Sequence, residues 1–256
     1  MNQKIIGNQK IFYDELDSTN QKAKELLKEG KVRNGTIIVA DSQLAGKGRM
    51  GRIWASPKGV GIFMSIIVCP DLAINQIPKL TLISGLAVCH TIKNICDGHS
   101  RIKWPNDVLI NNKKVCGILC ELVGNSTGKN FVIIGIGINV NQASFPKDLP
   151  HATSLKIEYN QTFSREEIIE KFSEVFDKMY NTYLIEKNLK PFIQDYAQLC
   201  INAGKEVYVS KSGDELEKVT VVKINTEGAL EVIDDDGNMY EIHSGEVSVR
   251  GIYGYV

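Results

Sequence analysis

The chain has 256 residues, of which 43% are hydrophobic and 23% are charged. This length is enough for a large core and predicts one large domain, or one large and one small domain. The 30 basic residues balance the 30 acidic residues, which argues against a protein whose main role is to coat nucleic acid, because such proteins carry a basic surplus.

The chain also lacks the marks of a membrane or secreted protein. No apolar run approaches the roughly 18 residues needed to cross a bilayer, and the start has neither a long apolar segment nor a small-residue cleavage site. The cysteines form no Cys-x-x-Cys pair and have no ligand-like spacing with the histidines. We therefore expect reduced, buried thiols, no zinc site and a cytoplasmic protein. The cysteines are Cys69, Cys89, Cys96, Cys116, Cys120 and Cys200.

The first part of the chain predicts a helix between strands. Residues 18–30 form an amphipathic pattern in which Ser18 and Gln21 give a capping box. Residues 36–40 predict a strand, and residues 61–68 predict a buried strand because they are apolar nearly throughout.

The middle of the chain mixes helices with short strands. Residues 78–96 predict a helix, and the pair Asn111–Asn112 predicts a tight hairpin because asparagine tolerates the left-handed region. Two further helices are predicted at residues 164–185, capped by Ser164, and at residues 189–200.

The residue pattern of the chain changes after Ala203. Five or so short alternating segments, separated by turn residues, predict a small β-barrel or roll. We therefore expect a two-part α+β protein, with one domain at residues 1–203 and a β domain at residues 204–256.

The segment at residues 45–54, AGKGRMGRIW, places three cations among three glycines. Glycine lets the backbone approach a ligand closely, and Lys and Arg are phosphate partners. Alone, the segment fits a solvated surface loop as well as a mobile anion-binding loop. The cations are Lys47, Arg49 and Arg52, and the glycines are Gly46, Gly48 and Gly51.

A second polar segment, RIKWPND, precedes the hairpin. Proline breaks a strand ladder, which leaves Asn106 and Asp107 at the mouth of a sheet beside Lys103 and Lys114. The segment is either an ordinary hairpin with a charged end or a site. In a site, Asp107 and Asn106 would handle a metal or a nucleophile, and the lysines would meet an anion.

Two further pairs of residues are candidates for a site, a pair of glycines and a pair of hydroxyl residues. Gly135 and Gly137 lie in a predicted strand, where they permit close approach by a ligand or simply by another backbone. Their spacing is not a dinucleotide fingerprint. In the pair Ser18–Thr19, one hydroxyl can cap the helix while the other meets a ligand at its N-terminus.

Together these segments resemble the biotin protein ligases, over nearly the whole chain including the terminal β-module. The matching segments are Ser-Thr-Asn at residues 18–20, GKGRMGRIW at 46–54, KWPND at 103–107, Lys114 followed by Gly-Ile-Leu at 117–119, and GIGIN at 135–139. One departure is Lys47, where Arg is commoner; lysine keeps the charge but loses the bidentate fork.

The resemblance implies a fold similar to class II aminoacyl-tRNA synthetases, a mixed sheet with helices, followed by an SH3-like barrel. It implies an ATP-dependent ligase that converts biotin to biotinyl-5′-AMP and transfers biotin to a lysine of a biotin carboxyl carrier protein. Mg²⁺ would accompany the ATP phosphates near Asp107. The motifs begin close to Met1, so we expect the form without an amino-terminal DNA-binding domain, with no specific DNA partner and no membrane partner. A homodimer stays open.

The resemblance also implies roles for individual residues. Lys114 would stabilise negative charge in both steps, and Asp107 would orient or deprotonate the carrier lysine. The implied catalytic residues are Lys114, Asp107 and Arg49. The implied biotin-binding residues are Ser18, Thr19, Asn20, Gln43, Gly46, Lys47, Gly48, Arg49, Lys114, Gly117, Leu119, Gly135 and Gly137. The implied ATP- and phosphate-binding residues are Lys47, Arg49, Arg52, Trp54, Lys103, Asn106 and Asn139.

Two other functions stay open. A lipoate ligase could use the same fold, although KWPND and the GKGR loop favour biotin. A nucleic-acid-binding protein could use the basic loop and the terminal β-module, although the neutral charge balance and the lack of an aromatic stacking motif argue against it.

Overall fold

The computed structural model describes residues 4–124, 130–210, 216–244 and 248–251. These residues form two sheets and five helices. In chain order the elements are β1 (Gln9–Leu16), α1 (Thr19–Lys28), β2 (Thr36–Gln43), β3 (Gly61–Val68), α2 (Lys79–Cys96), β4 (Arg101–Lys103), β5 (Asp107–Ile110), β6 (Lys113–Gly124), β7 (Asn130–Asn139), α3 (Leu155–Tyr159), α4 (Arg165–Glu186), α5 (Ile193–Leu199), β8 (Glu206–Ser210), β9 (Glu217–Ile224), β10 (Leu230–Asp234), β11 (Met239–Ile242) and β12 (Ser248–Gly251).

The larger sheet has seven strands in the order β1-β2-β3-β7-β6-β5-β4. The first two strands are parallel and are joined through α1, whereas every other neighbouring pair is antiparallel. A parallel pair needs a crossover connection, and α1 supplies it. The predicted mixed sheet with helices is therefore confirmed.

The two faces of the large sheet pack against different parts of the protein. In β7, Ile134 and Ile136 point into the main hydrophobic core with α2 and α4, and the alternating positions Gly135 and Gly137 point to the opposite face. On that opposite face, α1 packs Ala23 and Leu26 against the strands in a smaller cluster. Because α1 covers only part of this face, the glycines lie beside its amino-terminal end.

The predicted helix caps and the predicted hairpin turn are both present in the structure. Ser18 caps α1 by accepting from the Gln21 backbone N–H, and Ser164 caps α4 in the same way. Asn111 and Asn112 have φ values of 49° and 61°, so the tight hairpin is confirmed.

Three elements differ from the predictions. β1 and α3 were not predicted, and the last predicted helix is shorter, beginning only at Ile193. Pro191 explains the late start, because a proline disfavours helical backbone in the residue before it. β1 was missed because it lies at the edge of the sheet and its side chains are mostly half-buried or exposed.

The smaller sheet has five antiparallel strands in the order β11-β10-β9-β8-β12, which confirms the predicted β-rich terminal part. Within the described ranges no pairing joins β11 to β12, so the sheet is open. The predicted SH3-like barrel is therefore not confirmed. Part of the last predicted strand, at residues 246–247, lies outside the described residues.

The smaller sheet packs against the rest of the protein through Trp104. Its indole is 1% exposed and donates a hydrogen bond to the carbonyl of Gly228 at 3.0 Å. Beside it, Lys79 forms an ion pair with Glu227 at 2.6 Å. Apolar side chains from the core face of the large sheet and from the smaller sheet belong to one hydrophobic cluster.

All six cysteines are free thiols, as expected. Cys89, Cys116 and Cys200 are buried, and the other three are half-buried. Burial raises the pKa of Cys89 to about 12, which leaves that thiol protonated and unreactive at neutral pH. None of the described helices is both long and apolar enough to span a membrane.

Candidate active site

A cleft opens on the α1 face of the large sheet. Its floor is formed by β3, β6 and β7, one end by the start of α1, and its roof by the loop between β2 and β3. Fourteen residues of the predicted site line it: Ser18, Thr19, Asn20, Gln43, Lys47, Gly48, Arg49, Trp54, Asn106, Lys114, Gly117, Leu119, Gly135 and Gly137.

The glycines of the floor admit two side chains against the sheet. A Cβ atom on Gly135 would lie 2.4 Å from Asn20 Oδ1, and one on Gly137 would lie 2.5 Å from the Trp54 indole nitrogen. A Cβ on Gly117 would also meet the Trp54 ring, at 2.9 Å. The sequence predicted close approach by a ligand or by another backbone; in the structure the approaching groups are the side chains of Asn20 and Trp54.

The basic loop forms a small hairpin over the cleft. The backbone N–H of Trp54 donates to Gly46 O at 2.9 Å, and that of Gly48 donates to Arg52 O at 2.7 Å. A Cβ on Gly46 would lie 2.4 Å from Trp54 O, so this glycine closes the hairpin. At the tip, Met50 has a φ of 56° and is 68% exposed.

Arg49 connects this hairpin to two other parts of the protein. Its guanidinium donates to Asn106 Oδ1 at 3.0 Å and to the carbonyl of Ser244 at 3.4 Å. Burial lowers the pKa of Arg49, while the nearby charge of Asp107 raises it. Since an arginine pKa starts far above neutral pH, Arg49 keeps its charge. Its contacts connect the loop with the β4–β5 corner and with the segment that follows β11.

Lys114 and Asp107 form an ion pair at the mouth of the cleft. Lys114 Nζ lies 2.6 Å from Asp107 Oδ1, and both side chains are largely buried. The same ammonium lies 5.3 Å from the centre of the Trp54 ring, within the range of a cation–π contact. Opposite charges are thus held together where a substrate carboxylate or phosphate would compete for the cation.

A β-bulge places Lys114 on this face. In the pairing of β5 with β6, Val108 lies opposite Cys116 whereas Leu109 lies opposite Lys114, so Val115 is skipped. Val115 and Cys116 both enter the main core, and the alternation of side chains is shifted by one residue. Without the bulge, Lys114 would share the core face with Cys116, so the bulge re-aims the lysine into the cleft.

Comparison with known proteins agrees with this geometry. The model of the biotin/lipoate A/B protein ligase family matches residues 12–139. The structure of a biotin protein ligase from Aquifex aeolicus in complex with biotin and ATP is 33% identical, with a TM-score of 0.83, and the match covers 95% of this chain and 99% of that one. The chain belongs to the biotin/lipoate A/B protein ligase family.

Curated family members support the same assignment, and the resemblance to biotin protein ligases is confirmed. The bifunctional ligase/repressor BirA of Bacillus subtilis is 42% identical over 183 residues, which cover 70% of this chain and 56% of that protein. The biotin–[acetyl-CoA-carboxylase] ligase of Mycobacterium tuberculosis is 36% identical over 142 residues, 54% of this chain and 51% of that protein. The chain spans a little over half the length of these relatives.

Five residues of the predicted site do not line the cleft. Gly46 closes the hairpin, Asp107 acts on Lys114 from beside the cleft, and Arg52 is exposed at the loop. Lys103 is 8% exposed behind the β4–β5 corner. Asn139 is 5% exposed, and its amide donates to Thr153 O at 3.0 Å and accepts from Gln142. Their predicted ligand roles stay predictions.

Two polar residues that support the cleft from outside its lining were missed from sequence, as were the apolar lining residues Phe63, Met64, Ile118 and Ile136. Ser65, fully buried in β3, lies within hydrogen-bond distance of Thr19 and Asn20, and Glu121 in β6 accepts from Asn20. The signal for Ser65 is its position as the one hydroxyl in an otherwise apolar strand, GIFMSIIV. Glu121 lies two residues beyond Leu119, on the same face of its strand.

The side chains of the cleft do not fit a protein-built magnesium site. At the cationic end of the cleft, the Asp107 carboxylate is paired with Lys114, and the amide oxygen of Asn106 accepts from Arg49. In the part of the chain that the structure describes, no three His, Cys, Asp or Glu side chains are grouped to hold a metal ion. A magnesium ion usually takes one or two protein carboxylates besides phosphate and water, and here that carboxylate is already engaged.

Proposed function

We propose that this protein is an ATP-dependent ligase that activates biotin to biotinyl-5′-AMP and transfers biotin to a lysine of a biotin carboxyl carrier protein or domain. The observation that carries the proposal is the arrangement of the cleft. The cleft is lined by neutral hydrogen-bonding groups, Thr19 and Gln43, and by the cations Lys47, Arg49 and Lys114. Thr19 and Gln43 contact each other at a neutral end, whereas Arg49 contacts Asn106 and Lys114 pairs with Asp107 at a cationic end. A substrate with a neutral polar ring and a carboxylate tail matches this polarity.

The cationic end suits the first step. A biotin carboxylate oxygen attacks the α-phosphorus of ATP, the bond to the β-phosphate oxygen breaks, and pyrophosphate leaves. The carboxylate and the triphosphate repel each other, so positive charge must offset both. Arg49 and Lys114 would do this from opposite sides, and each such contact contributes on the order of several kcal/mol in a water-poor site.

The Lys114–Asp107 pair suits the second step. When the acyl phosphate is bound, the Lys114 ammonium moves its contact from Asp107 to the acyl and phosphate oxygens. Asp107 is then free to accept a proton from, or to orient, the incoming carrier amine. The amine nitrogen attacks the acyl carbon, the bond to the phosphate oxygen breaks, and AMP leaves.

Magnesium enters this proposal only with the nucleotide. Because the side chains present do not build a metal site, any Mg²⁺ would be held by the phosphates, and no step is assigned to it. The ATP-binding roles that the resemblance implies for Trp54 and Asn139 are likewise part of the proposal.

The wider assignments follow the family. We infer that residues 1–203 form the catalytic unit and that residues 204–256 form an SH3-like module, which contacts the catalytic loop through Ser244. The balanced charge supports an enzyme without a DNA partner, and the six free thiols support a cytoplasmic address.

The family also includes lipoate ligases, so the test compares the two acids. Purified protein is incubated with ATP, an unmodified biotin carrier domain and either biotin or lipoate, and the carrier is analysed by mass spectrometry. We expect one lysine of the carrier to gain a biotinyl group and no lipoyl group to appear. Lipoylation in place of biotinylation would reassign the enzyme, and an unmodified carrier with both acids would reject the proposal.

A further inference from the structure

A continuous chain of hydrogen bonds runs under the neutral end of the cleft. It begins on the surface, where Lys24 Nζ lies 2.6 Å from Glu121 Oε1. Asn20 Nδ2 donates to Glu121 Oε2 at 2.7 Å, and Asn20 Oδ1 lies 2.5 Å from Ser65 Oγ. Ser65 Oγ in turn lies 2.8 Å from Thr19 Oγ1, which lines the cleft.

The charge of Glu121 sets the direction of every hydrogen in this chain. An ionised carboxylate only accepts, so the side of the Asn20 amide that faces it must be the NH₂ group. The carbonyl of Leu119, 3.5 Å from the same nitrogen, is also an acceptor and agrees with this orientation. Asn20 Oδ1 therefore faces Ser65, and the single Ser65 hydrogen is donated to it.

Thr19 must then give its own hydrogen to the protein. Ser65 has no second hydrogen, so its 2.8 Å contact with Thr19 requires Thr19 to donate. The other neighbour of this hydroxyl, Gln43 Oε1 at 3.2 Å, is an acceptor too, because the Thr19 backbone N–H donates to it at 2.8 Å. Both neighbours are acceptors, so Thr19 can offer the cleft only its lone pairs.

The orientation of Gln43 is fixed in the same way. Its oxygen is held by the Thr19 backbone N–H, so its nitrogen must face Ser56 Oγ, 2.8 Å away. The Ser56 hydroxyl then donates to the carbonyl of Trp54 at 3.0 Å. No hydrogen of this second chain is directed at Thr19 Oγ1, which agrees with its role as an acceptor.

We infer that Glu121, Asn20 and Ser65 are positioning residues that fix Thr19 Oγ1 as a hydrogen-bond acceptor and thereby select a substrate ring that carries an N–H group. A cyclic urea carries such a group, whereas a dithiolane ring does not, so the chain selects biotin over lipoate. This inference rests on the proposed function, and it assigns specificity to Asn20, which lines the cleft, and to Ser65 and Glu121, which do not.

The test compares biotin with its two N-methyl isomers, in which one or the other ureido N–H is replaced. Dissociation constants are measured by titration calorimetry for the full chain, for Glu121→Gln, for Ser65→Ala and for the control Lys24→Gln. Lys24→Gln removes the surface partner of Glu121 but leaves the carboxylate that orients Asn20. The measured quantity is the ratio of the dissociation constant of each N-methyl isomer to that of biotin.

We expect the unmodified protein to reject one isomer by about 100-fold or more, because a site built around a ligand N–H leaves a buried acceptor unpaired without it. Ser65→Ala removes the nearer of the two acceptors of the Thr19 hydrogen and leaves only Gln43 at 3.2 Å, so the hydroxyl can turn its hydrogen towards the cleft. Glu121→Gln lets the Asn20 amide flip, so that Ser65 can donate to Thr19. Each variant should lower the ratio by about ten-fold. Lys24→Gln should leave it unchanged. A general loss of structure would weaken biotin and its isomers alike, so it would leave the ratio where it was.

The outcomes separate this inference from the proposed function. If the protein binds biotin and the ratio is equal in all four proteins, the polarity chain does not select the substrate and the inference is wrong. If the unmodified protein does not bind biotin at all, the proposed function fails and the inference fails with it. If Ser65→Ala does not fold, the half-exposed Glu121→Gln decides.

Discussion

The two ends of the cleft are built in opposite ways. The neutral end is formed by buried side chains of α1 and β3 together with the half-buried Gln43 of β2, and its hydrogen bonds connect elements of the rigid core. The cationic end is formed by Lys114 of β6 and by a hairpin with an exposed tip, which is tied to other elements through Arg49. A fixed end can discriminate between rings, whereas an end carried on a loop can open to admit a nucleotide and close over a reactive intermediate.

The largest expected effect comes from removing the charge at the cationic end. Lys114→Ala should fold but form biotinyl-5′-AMP about 10²–10³-fold more slowly, because a preorganised charge directed at the reacting oxygens is lost. The measurement is single-turnover formation of the adenylate. The matched control is Lys113→Ala, which removes the exposed neighbouring lysine and should retain normal rates. Equal rates in both variants would exclude Lys114 from the chemistry.

A smaller effect is expected from the residue that ties down the loop. Arg49→Gly removes the contacts with Asn106 and Ser244 and should weaken retention of biotinyl-5′-AMP about 30-fold, the equivalent of about 2 kcal/mol. The released intermediate should then label lysines of bystander proteins, which can be counted on a streptavidin blot. Arg52→Ala, at an exposed position of the same loop, should release little. Bystander labelling that does not rise in Arg49→Gly would show that another contact holds the intermediate.

The glycines in the floor of the cleft, between its two ends, give a third test. Gly137→Ala places a methyl group about where the Trp54 indole now lies, since the Cβ would be 2.5 Å from it. We expect the Trp54 fluorescence to shift towards longer wavelength and adenylation to fall about ten-fold as the roof is displaced. Gly124→Ala is the control, because a Cβ there meets nothing within 4 Å. An unchanged fluorescence spectrum would mean that the Trp54 ring does not lie against Gly137 in solution.

The smallest expected effect is a change in protection of the loop. Trypsin should cut the free protein after Lys47, Arg49 or Arg52 several-fold faster than the protein saturated with biotinyl-5′-AMP, because exposed loops are preferred cleavage sites. Ligand contacts must offset about 1–2 kcal/mol per ordered residue. The cut sites are mapped by mass spectrometry. Equal cleavage rates with and without the ligand would show that ligand binding does not order the hairpin further.

The sequence predicted the parts of this site that depend on local chemistry. The Ser18 cap and the Asn111–Asn112 turn each follow from what one residue type permits, and both are confirmed. The glycines of β7 do permit close approach, but by side chains and not by a ligand or another backbone as predicted. The order of motifs along the chain was enough to indicate the family. Fourteen of the predicted site residues line one cleft, although their separate ligand roles are still predictions.

The parts that sequence could not supply depend on pairing across the fold. The bulge that turns Lys114 into the cleft exists only relative to β5, and no local pattern specifies which residue is skipped. Glu121 and Ser65 acquire their roles from Asn20, which is distant in sequence and lies on a helix. The open five-stranded sheet likewise reflects long-range pairing, where a short alternating pattern predicts strands but not closure.

The central claim is that this cleft activates biotin with ATP, and isotope exchange tests it most directly. Labelled pyrophosphate is incubated with ATP, the purified protein and either biotin or lipoate, without any carrier. We predict label in ATP with biotin alone, and its loss in Lys114→Ala but not in Lys113→Ala. Exchange supported by lipoate, or no exchange with biotin, would contradict the account.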